Sequence, residues 1–285
     1  MESMDPVRPP LRNVADTASW VAYFRAKETE RPDALFRDPY AGRLAGEHGF
    51  QIVRQLTDGN KHEWAWVTRT YLFDKFITEE LQEGTDLVLC LAAGLDARPY
   101  RMNLSESLQW VEIDFAEVLA YKEDVLAGEE PRCQVQRIAL DLLDVPARRK
   151  LLGELNGRAH KITVVTEGLL PYLTAEEVAS LTKDLSSFLN FDSWVIDLIS
   201  PGQWTLIQGG MGRELAESGA AFKFGPAEGV GFFVPYGWEA KRVEGLLKNA
   251  AILNRAPAEL LPLLPEPKGS FRRYPWTGVC LLKKS

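Results

Sequence analysis

The chain is short of cysteine, of histidine and of concentrated basic charge, and each shortage removes a class of function. Its three cysteines, Cys90, Cys133 and Cys280, are far apart and at no metal-ligand spacing. Cys90 and Cys280 sit in apolar runs, where a thiol packs as a small hydrophobe. An odd count without a secretion signal fits a reducing compartment. The formal net charge is −7 and no Lys/Arg cluster breaks it, which argues against DNA or RNA, because those partners need a basic face to displace counterions. The longest uninterrupted apolar run, near 87–93, is far shorter than the roughly 20 residues of a spanning helix, so no membrane partner is expected. Residues 1–10 are polar and proline-rich, unlike a signal-peptide core. The expected location is the cytoplasm.

What is present is the composition of a globular enzyme-sized chain. At 285 residues, 46% apolar and 26% charged, it is long enough to bury a continuous core and too apolar to be disordered. There is no internal repeat and no low-complexity tract. Residues 16–81 read as helical: Asp16 or Thr17 can cap a helix running through Trp20, Tyr23, Phe24 and Lys27, and 64–81 carries a second helical pattern. Arg37-Asp38-Pro39-Tyr40 breaks the chain between them. From Asp86 the pattern changes to short apolar runs separated by amphipathic segments. Strands are expected at 86–92, 109–114, 134–139, 162–167 and 194–199, and helices at 115–127, 146–155 and 175–189. In the last of these, Thr174 and Glu177 form a capping box, and Val178, Leu181, Leu185, Phe188 and Leu189 share one face. Strands alternating with helices predict an α/β fold with a parallel sheet covered on both sides. The Gly- and aromatic-rich stretch 200–236 interrupts the alternation and reads as a cap over the ligand edge. A helix at 237–249 and a strand at 277–282 are expected to complete the domain.

In open α/β sheets ligands bind at the carboxyl ends of the strands, so the residues leaving each strand carry the information. Ala92-Ala93-Gly94-Leu95-Asp96-Ala97-Arg98 follows the first strand, and its small residues let a ligand approach the backbone. Asp114, Asp141 and Glu167 stand at the exits of the next three strands. A turn followed about 20 residues later by an acid also begins dinucleotide-binding folds. A pyrophosphate, however, needs a Gly-rich turn and no nearby anion, and here one glycine is followed closely by Asp96. A carboxylate-lined pocket suits S-adenosylmethionine, which has no phosphate and carries two cationic groups. Each acid has a plainer reading as well. Asp114 can cap the following helix, Asp141 can be a turn residue, and Asp96 with Arg98 can be a local ion pair. Glu167 ends an apolar run, where a carboxylate is expensive unless paired or exposed.

At this point the residues resemble the leucine carboxyl methyltransferase-like family of class I S-adenosylmethionine-dependent methyltransferases, which includes polyketide O-methyltransferases and protein carboxyl-terminal methyltransferases. Ordered blocks carry the resemblance. They are Asp16-Thr17-Ala18, Arg25-Ala26-Lys27-Glu28-Thr29, Leu35-Phe36-Arg37-Asp38-Pro39-Tyr40-Ala41, Thr68-Arg69-Thr70 with Asp74, Leu91-Ala92-Ala93-Gly94-Leu95-Asp96-Ala97-Arg98-Pro99-Tyr100-Arg101, Val111-Glu112-Ile113-Asp114-Phe115, Glu167-Gly168-Leu169-Leu170-Pro171-Tyr172-Leu173 and Gly237-Trp238-Glu239. The resemblance implies a Rossmann-like, seven-stranded, mostly parallel sheet flanked by helices. The pattern along the chain divides the single domain into an expected helical lid (1–84), a cofactor core (85–199), a cap insertion (200–236) and a C-terminal completion (237–285). The implied cofactor is S-adenosyl-L-methionine, with S-adenosyl-L-homocysteine as product. By position, Arg25 (or Lys27) and Arg69 match the residues reaching the cofactor carboxylate, and Ala92 and Gly94 the backbone contacts. Asp114 matches the ribose acid, Asp141 and Leu142 the adenine bracket, and Glu167 a cofactor-contacting glutamate. Ala92 departs from the glycine carried by many relatives, and Ala97 from a common threonine.

The implied reaction is O-methylation of a small-molecule hydroxyl or carboxyl, with a peptide carboxyl end as the alternative acceptor. Two further readings stand beside it, a non-catalytic binding protein of the same fold and a nicotinamide oxidoreductase. Methyl transfer needs alignment of nucleophile, methyl and leaving sulfur; a carboxylate needs no base, whereas a phenol benefits from one. His48, His62 and His160 fall in no motif block, so no general base and no metal site is assigned. Tyr172 is a candidate for facing the acceptor. Trp204, Phe222, Phe224, Phe232, Phe233, Tyr236 and Trp238 are expected either to line an apolar acceptor pocket or to pack the cap onto the sheet. The sequence does not decide between monomer and homodimer.

Overall fold

Every residue of β1 (Leu87–Leu91) is buried on both faces, as a strand between two helical layers must be. The computed structural model describes residues 16–55, 61–209, 216, 219–264 and 274–285; parts of the expected cap and the segment before the last strand lie outside the described residues. Three helices come first, α1 (Asp16–Glu30), α2 (Ala41–Gln55) and α3 (Glu63–Gln82). After β1 and the short α4 (Arg98–Arg101) the chain alternates: β2 (Gln109–Asp114), α5 (Ala116–Val125), β3 (Gln134–Ala139), α6 (Val145–Asn156), β4 (Ile162–Thr166), α7 (Ala175–Ser186), β5 (Phe191–Ile199) and α8 (Pro201–Gly209). A 3-10 segment (Gly229–Tyr236) leads into β6 (Trp238–Gly245), α9 (Leu246–Ile252) and β7 (Thr277–Lys284).

Among the described residues the strands form one seven-stranded sheet in the order β3-β2-β1-β4-β5-β7-β6. β1 to β5 run parallel; β7 is antiparallel to β5, and β6 to β7. The α/β class and the mostly parallel seven-stranded sheet expected from sequence are therefore present. Chain order reverses between β1 and β4, and that switch point opens a crevice at the strands' carboxyl ends. One face of the sheet packs α6, α7 and the 3-10 segment around Trp194, Trp238 and Phe233. The other packs α3 through Phe73 and Phe76 against Val88, Cys90 and Val195.

Local chemistry accounts for the elements. The α7 capping box forms as read, with the Glu177 amide donating to Thr174 Oγ1 at 3.2 Å and the Thr174 amide to Glu177 Oε2 at 2.7 Å. The helix stops at Ser186, three residues early, and leaves Leu189 84% exposed instead of on the buried face. A second difference is larger. The helix expected at 237–249 is strand β6 followed by α9. Glu239, Ala240, Lys241 and Arg242 favour a helix locally, but β7 offers an unpaired edge, and pairing satisfies its backbone groups. The register slips between Ala240 and Arg242 to accommodate the twist. No helix among the described residues is long and apolar enough to cross a membrane.

Candidate active site

A cavity of about 270 Å³ opens at the carboxyl ends of β1, β2, β4 and β5, roofed by α1, α3, α8 and the loop at Phe222. That volume is near the lower end of the roughly 300–1,000 Å³ of small-molecule sites. Of the residues singled out in the sequence, Arg25, Arg69, Ala92, Gly94, Asp114 and Glu167 line it. Asp141 and Leu142 do not. Asp141 is exposed and accepts the Leu143 amide at 2.9 Å, a local turn bond, and Leu142 is buried in the core below. Lys27 also lies off the cavity, beside Glu63 at 3.4 Å.

The turn after β1 is wound tightly. Ala92 has φ +54° and Gly94 φ +48°, both in the left-handed region that an L side chain enters only at a cost. A Cβ on Gly94 would stand 3.3 Å from the Ala18 side chain, so the bare backbone keeps α1 close above the turn. Asp114 clamps the turn from the neighbouring strand: its Oδ2 accepts the Gly94 amide at 2.6 Å and its Oδ1 the Phe115 amide at 2.8 Å. It does not cap α5, whose N-terminus has no side-chain cap. Burial raises the Asp114 carboxyl above the usual carboxylate range, and the two amides only partly offset this. Phe115, 49% exposed, presents an aromatic face beside it on the cavity wall.

Around the cavity floor runs a network of ion pairs. Arg69 donates through Nε to Glu167 Oε1 and through Nη1 to Asp197 Oδ2, each at 3.1 Å. Its guanidinium lies 4.6 Å over the Trp66 ring. Arg98 spans Asp74 (2.6 Å), Asp96 (3.0 Å) and Glu167 (2.8 Å). Arg25 holds Asp38 at 2.9 Å and donates to the Leu95 carbonyl at 2.6 Å. Burial alone would raise Asp96, but Arg98, Lys122 and Arg101 overcome it and hold the group at about 2. For Asp197 burial wins and raises it, despite Arg69 and the Gly168 amide. The pairing requirement on Glu167 is thus met by two arginines, and Arg98 is more than a partner of Asp96.

Three functional candidates were not singled out in the sequence. Asp197 interrupts the run Trp194-Val195-Ile196, and a carboxylate inside a buried strand was a readable signal of a paired or reactive group. Trp66 and Phe115 carried no signal in one dimension. Trp66 joins Trp20, Tyr172, Ile207 and Phe222 in an apolar cluster against the cavity, with Tyr172 and Phe222 edge-to-face at 5.1 Å. Of the seven aromatics expected in the cap, Phe222 alone lines the cavity. Phe224, Phe233 and Trp238 are buried in the core on the opposite side, around Trp194. His62 also lines the cavity, whereas His48 pairs with Asp16. Among the described residues no group of His, Cys, Asp and Glu is arranged to hold a metal.

The fold resembles solved structures of low sequence identity. A DUF574 family protein from Streptomyces avermitilis superimposes with a TM-score of 0.56 at 13% identity, covering 93% of this chain and 97% of that one. An SAM-dependent methyltransferase from Anabaena variabilis gives 0.50 at 14% identity over 77% and 85%. These establish a shared fold. Sequence relatives are nearer. Two proteins of Mycobacteroides abscessus, provisionally named S-adenosyl-L-methionine-dependent methyltransferases, are 34% identical over 188 residues and 35% identical over 213 residues. Those alignments cover 61% and 71% of this chain and 61% and 65% of the relatives, so the match spans just under two thirds of their length. A Frankia alni protein with the same kind of name is 31% identical over 222 residues, 69% of this chain and 78% of its own. The sequence model of the leucine carboxyl methyltransferase family matches residues 18–186. More than half of the chain lies within that match, and the chain belongs to the leucine carboxyl methyltransferase family.

Proposed function

We propose that the chain is an S-adenosylmethionine-dependent O-methyltransferase acting on a small-molecule hydroxyl or carboxyl group. The observation that carries this reading is the clamp of Asp114 on Gly94 at the switch-point cavity. It sets a carboxylate and a bare backbone turn against one space, a fit for ribose hydroxyls and a nucleoside edge without phosphate. The donor set agrees. Arg25 and Arg69 are the cations for a carboxylate, Glu167 is an acceptor for an ammonium, and Phe115 offers a flat apolar face for a base. When bound, the cofactor supplies an electrophilic methyl on a positively charged sulfur. The chain's own residues bind it, exclude water beneath α1 and α8, and orient an acceptor against Trp66, Tyr172 and Phe222.

Calorimetry with S-adenosylhomocysteine tests the cofactor half. The wild-type protein should bind, and Asp114→Ala should weaken binding at least about tenfold, the loss of about 1.4 kcal/mol. A labelled-methyl screen over phenols, carboxylates and peptide ends tests the acceptor half. Transfer to peptide ends alone would reassign the chain to protein carboxyl methylation. No binding of S-adenosylhomocysteine, or an indifferent Asp114→Ala, would overturn the proposal.

A further inference from the structure

Asp197 is a buried carboxylate on the cavity wall that the cofactor reading leaves without a task. It lies on β5, and Asp114 lies on β2, with β1 and β4 between them. Three strand spacings at roughly 4.8 Å put the two about 14 Å apart, so a ribose held at Asp114 is well clear of Asp197. On the Asp197 side the wall is mostly apolar, with Trp66, Tyr172, Ile199, Ile207 and Phe222, and Gln203 and Thr277 are its uncharged polar members. Asp197 accepts from Arg69 Nη1 and from the Gly168 amide, one bond on each oxygen, and a carboxylate oxygen has room for a second.

Charge decides what can enter. The described residues lining the cavity bring four carboxylates (Asp96, Asp114, Glu167, Asp197) against three guanidiniums (Arg25, Arg69, Arg98), with His62 as a further titratable group. All three guanidiniums already hold protein carboxylates, and Arg25 and Arg69 are the two that would also take the cofactor's carboxylate. A cofactor with one net positive charge balances the lining. A second anion, such as an acceptor carboxylate, would find no uncommitted cation in a site of low dielectric, and burying an unpaired charge is costly.

Resting on the methyl-transfer reading above, we propose that the acceptor is an uncharged, ring-bearing hydroxyl compound and that Asp197 is the general base that takes its proton. The hydroxyl oxygen forms its bond to the methyl carbon as the carbon–sulfur bond breaks and leaves its electron pair on sulfur. The hydroxyl proton passes to an Asp197 oxygen, so a neutral acceptor and a sulfonium donor become an ether, a thioether and a protonated Asp197. Burial, which favours the protonated acid, makes Asp197 a better proton acceptor than an exposed carboxylate. The groups facing Asp197 are Arg69 from α3, Glu167 and Tyr172 after β4, and Cys280 from β7.

The test uses 1-naphthol and 1-naphthoate, which share a ring system and differ in charge at neutral pH. Calorimetry on wild-type protein saturated with S-adenosylhomocysteine should show naphthol binding at least about tenfold tighter than naphthoate. In Asp197→Asn that gap should narrow, with S-adenosylhomocysteine affinity retained. Against the best hydroxyl acceptor found in the screen, Asp197→Asn should lower kcat at least about 100-fold and abolish the acid limb of its pH profile, while His62→Gln keeps that limb. Naphthoate preferred by the wild type overturns the proposal even if Asp197→Asn fails to fold. So does loss of S-adenosylhomocysteine affinity in Asp197→Asn, which would assign Asp197 to the cofactor, and so does an acid limb that follows His62. Wild-type protein that does not bind S-adenosylhomocysteine sinks the underlying reading instead, a distinct result.

Discussion

Ala92 is the residue where sequence and geometry disagree most sharply. Its φ of +54° places an L side chain in the left-handed region at a cost of roughly 1–2 kcal/mol. Glycine at this position removes that strain, while the freer unfolded chain takes back about 0.4–1 kcal/mol. Ala92→Gly should therefore be mildly stabilising, raising Tm by about 2 °C in a calorimetric scan; a fall would show that the methyl packs usefully. Asp96 gives a second residue-scale expectation. Its folded value of about 2 lies below the ordinary 3.8. The group therefore adds stability above the ordinary value and loses it as pH falls through the folded one. The shift corresponds to about 2 kcal/mol. Urea unfolding between pH 5 and pH 2, run at intervals of about half a unit, should lose less stability in Asp96→Asn than in wild type. Parallel curves would refute the assignment.

At the scale of elements, the stretch from α8 to the 3-10 segment divides its aromatics between two tasks. Phe222 faces the cavity with Trp66 and Tyr172. Phe233, fully buried against Trp194, Phe224 and Phe232, helps bind the 3-10 segment to the sheet. The two alanine variants should differ in kind. Phe233→Ala removes a core ring and should cost about 3–5 kcal/mol of stability. Phe222→Ala should weaken naphthol binding while S-adenosylhomocysteine affinity and Tm change little. Equal losses of stability in both variants would mean that Phe222 is only packing. The other lesson of this scale is β6. Its helix-favouring residues adopt a strand because the open edge of β7 needs a partner, and pairing outweighs local propensity.

For the whole molecule, the cavity joins pieces distant in the chain. α1 and α3 cover it from before the sheet, α8 and Phe222 from beyond β5. A ligand bound there ties these layers together and stabilises only the folded state. At 100 times its dissociation constant, S-adenosylhomocysteine should add about 2.7 kcal/mol. A shift of Tm by about 5–10 °C in thermal scans follows for a domain of this size. No shift under saturating ligand would contradict a site built across these elements.

The alternation of buried runs with amphipathic helices determined the α/β class. β2 begins and ends where the sequence pattern predicts, because a parallel strand buried on both faces has no other composition; the bounds of β3 match as well, although it is the part-exposed edge strand. The capping box likewise settled where α7 begins, since both of its partners are within one turn. Three-dimensional packing decided the rest. The end of α7 and the strand character of β6 depend on neighbours remote in sequence. Six of the eight expected site residues, Arg25, Arg69, Ala92, Gly94, Asp114 and Glu167, meet at one cavity because strand exits converge on the switch point. Asp141 and Leu142 leave β3, the far edge of the sheet, which lies outside that convergence. Asp197, Trp66 and Phe115 became candidates only when the sheet set them against the same space, for a linear pattern records which residues are apolar or charged but not which of them share a wall.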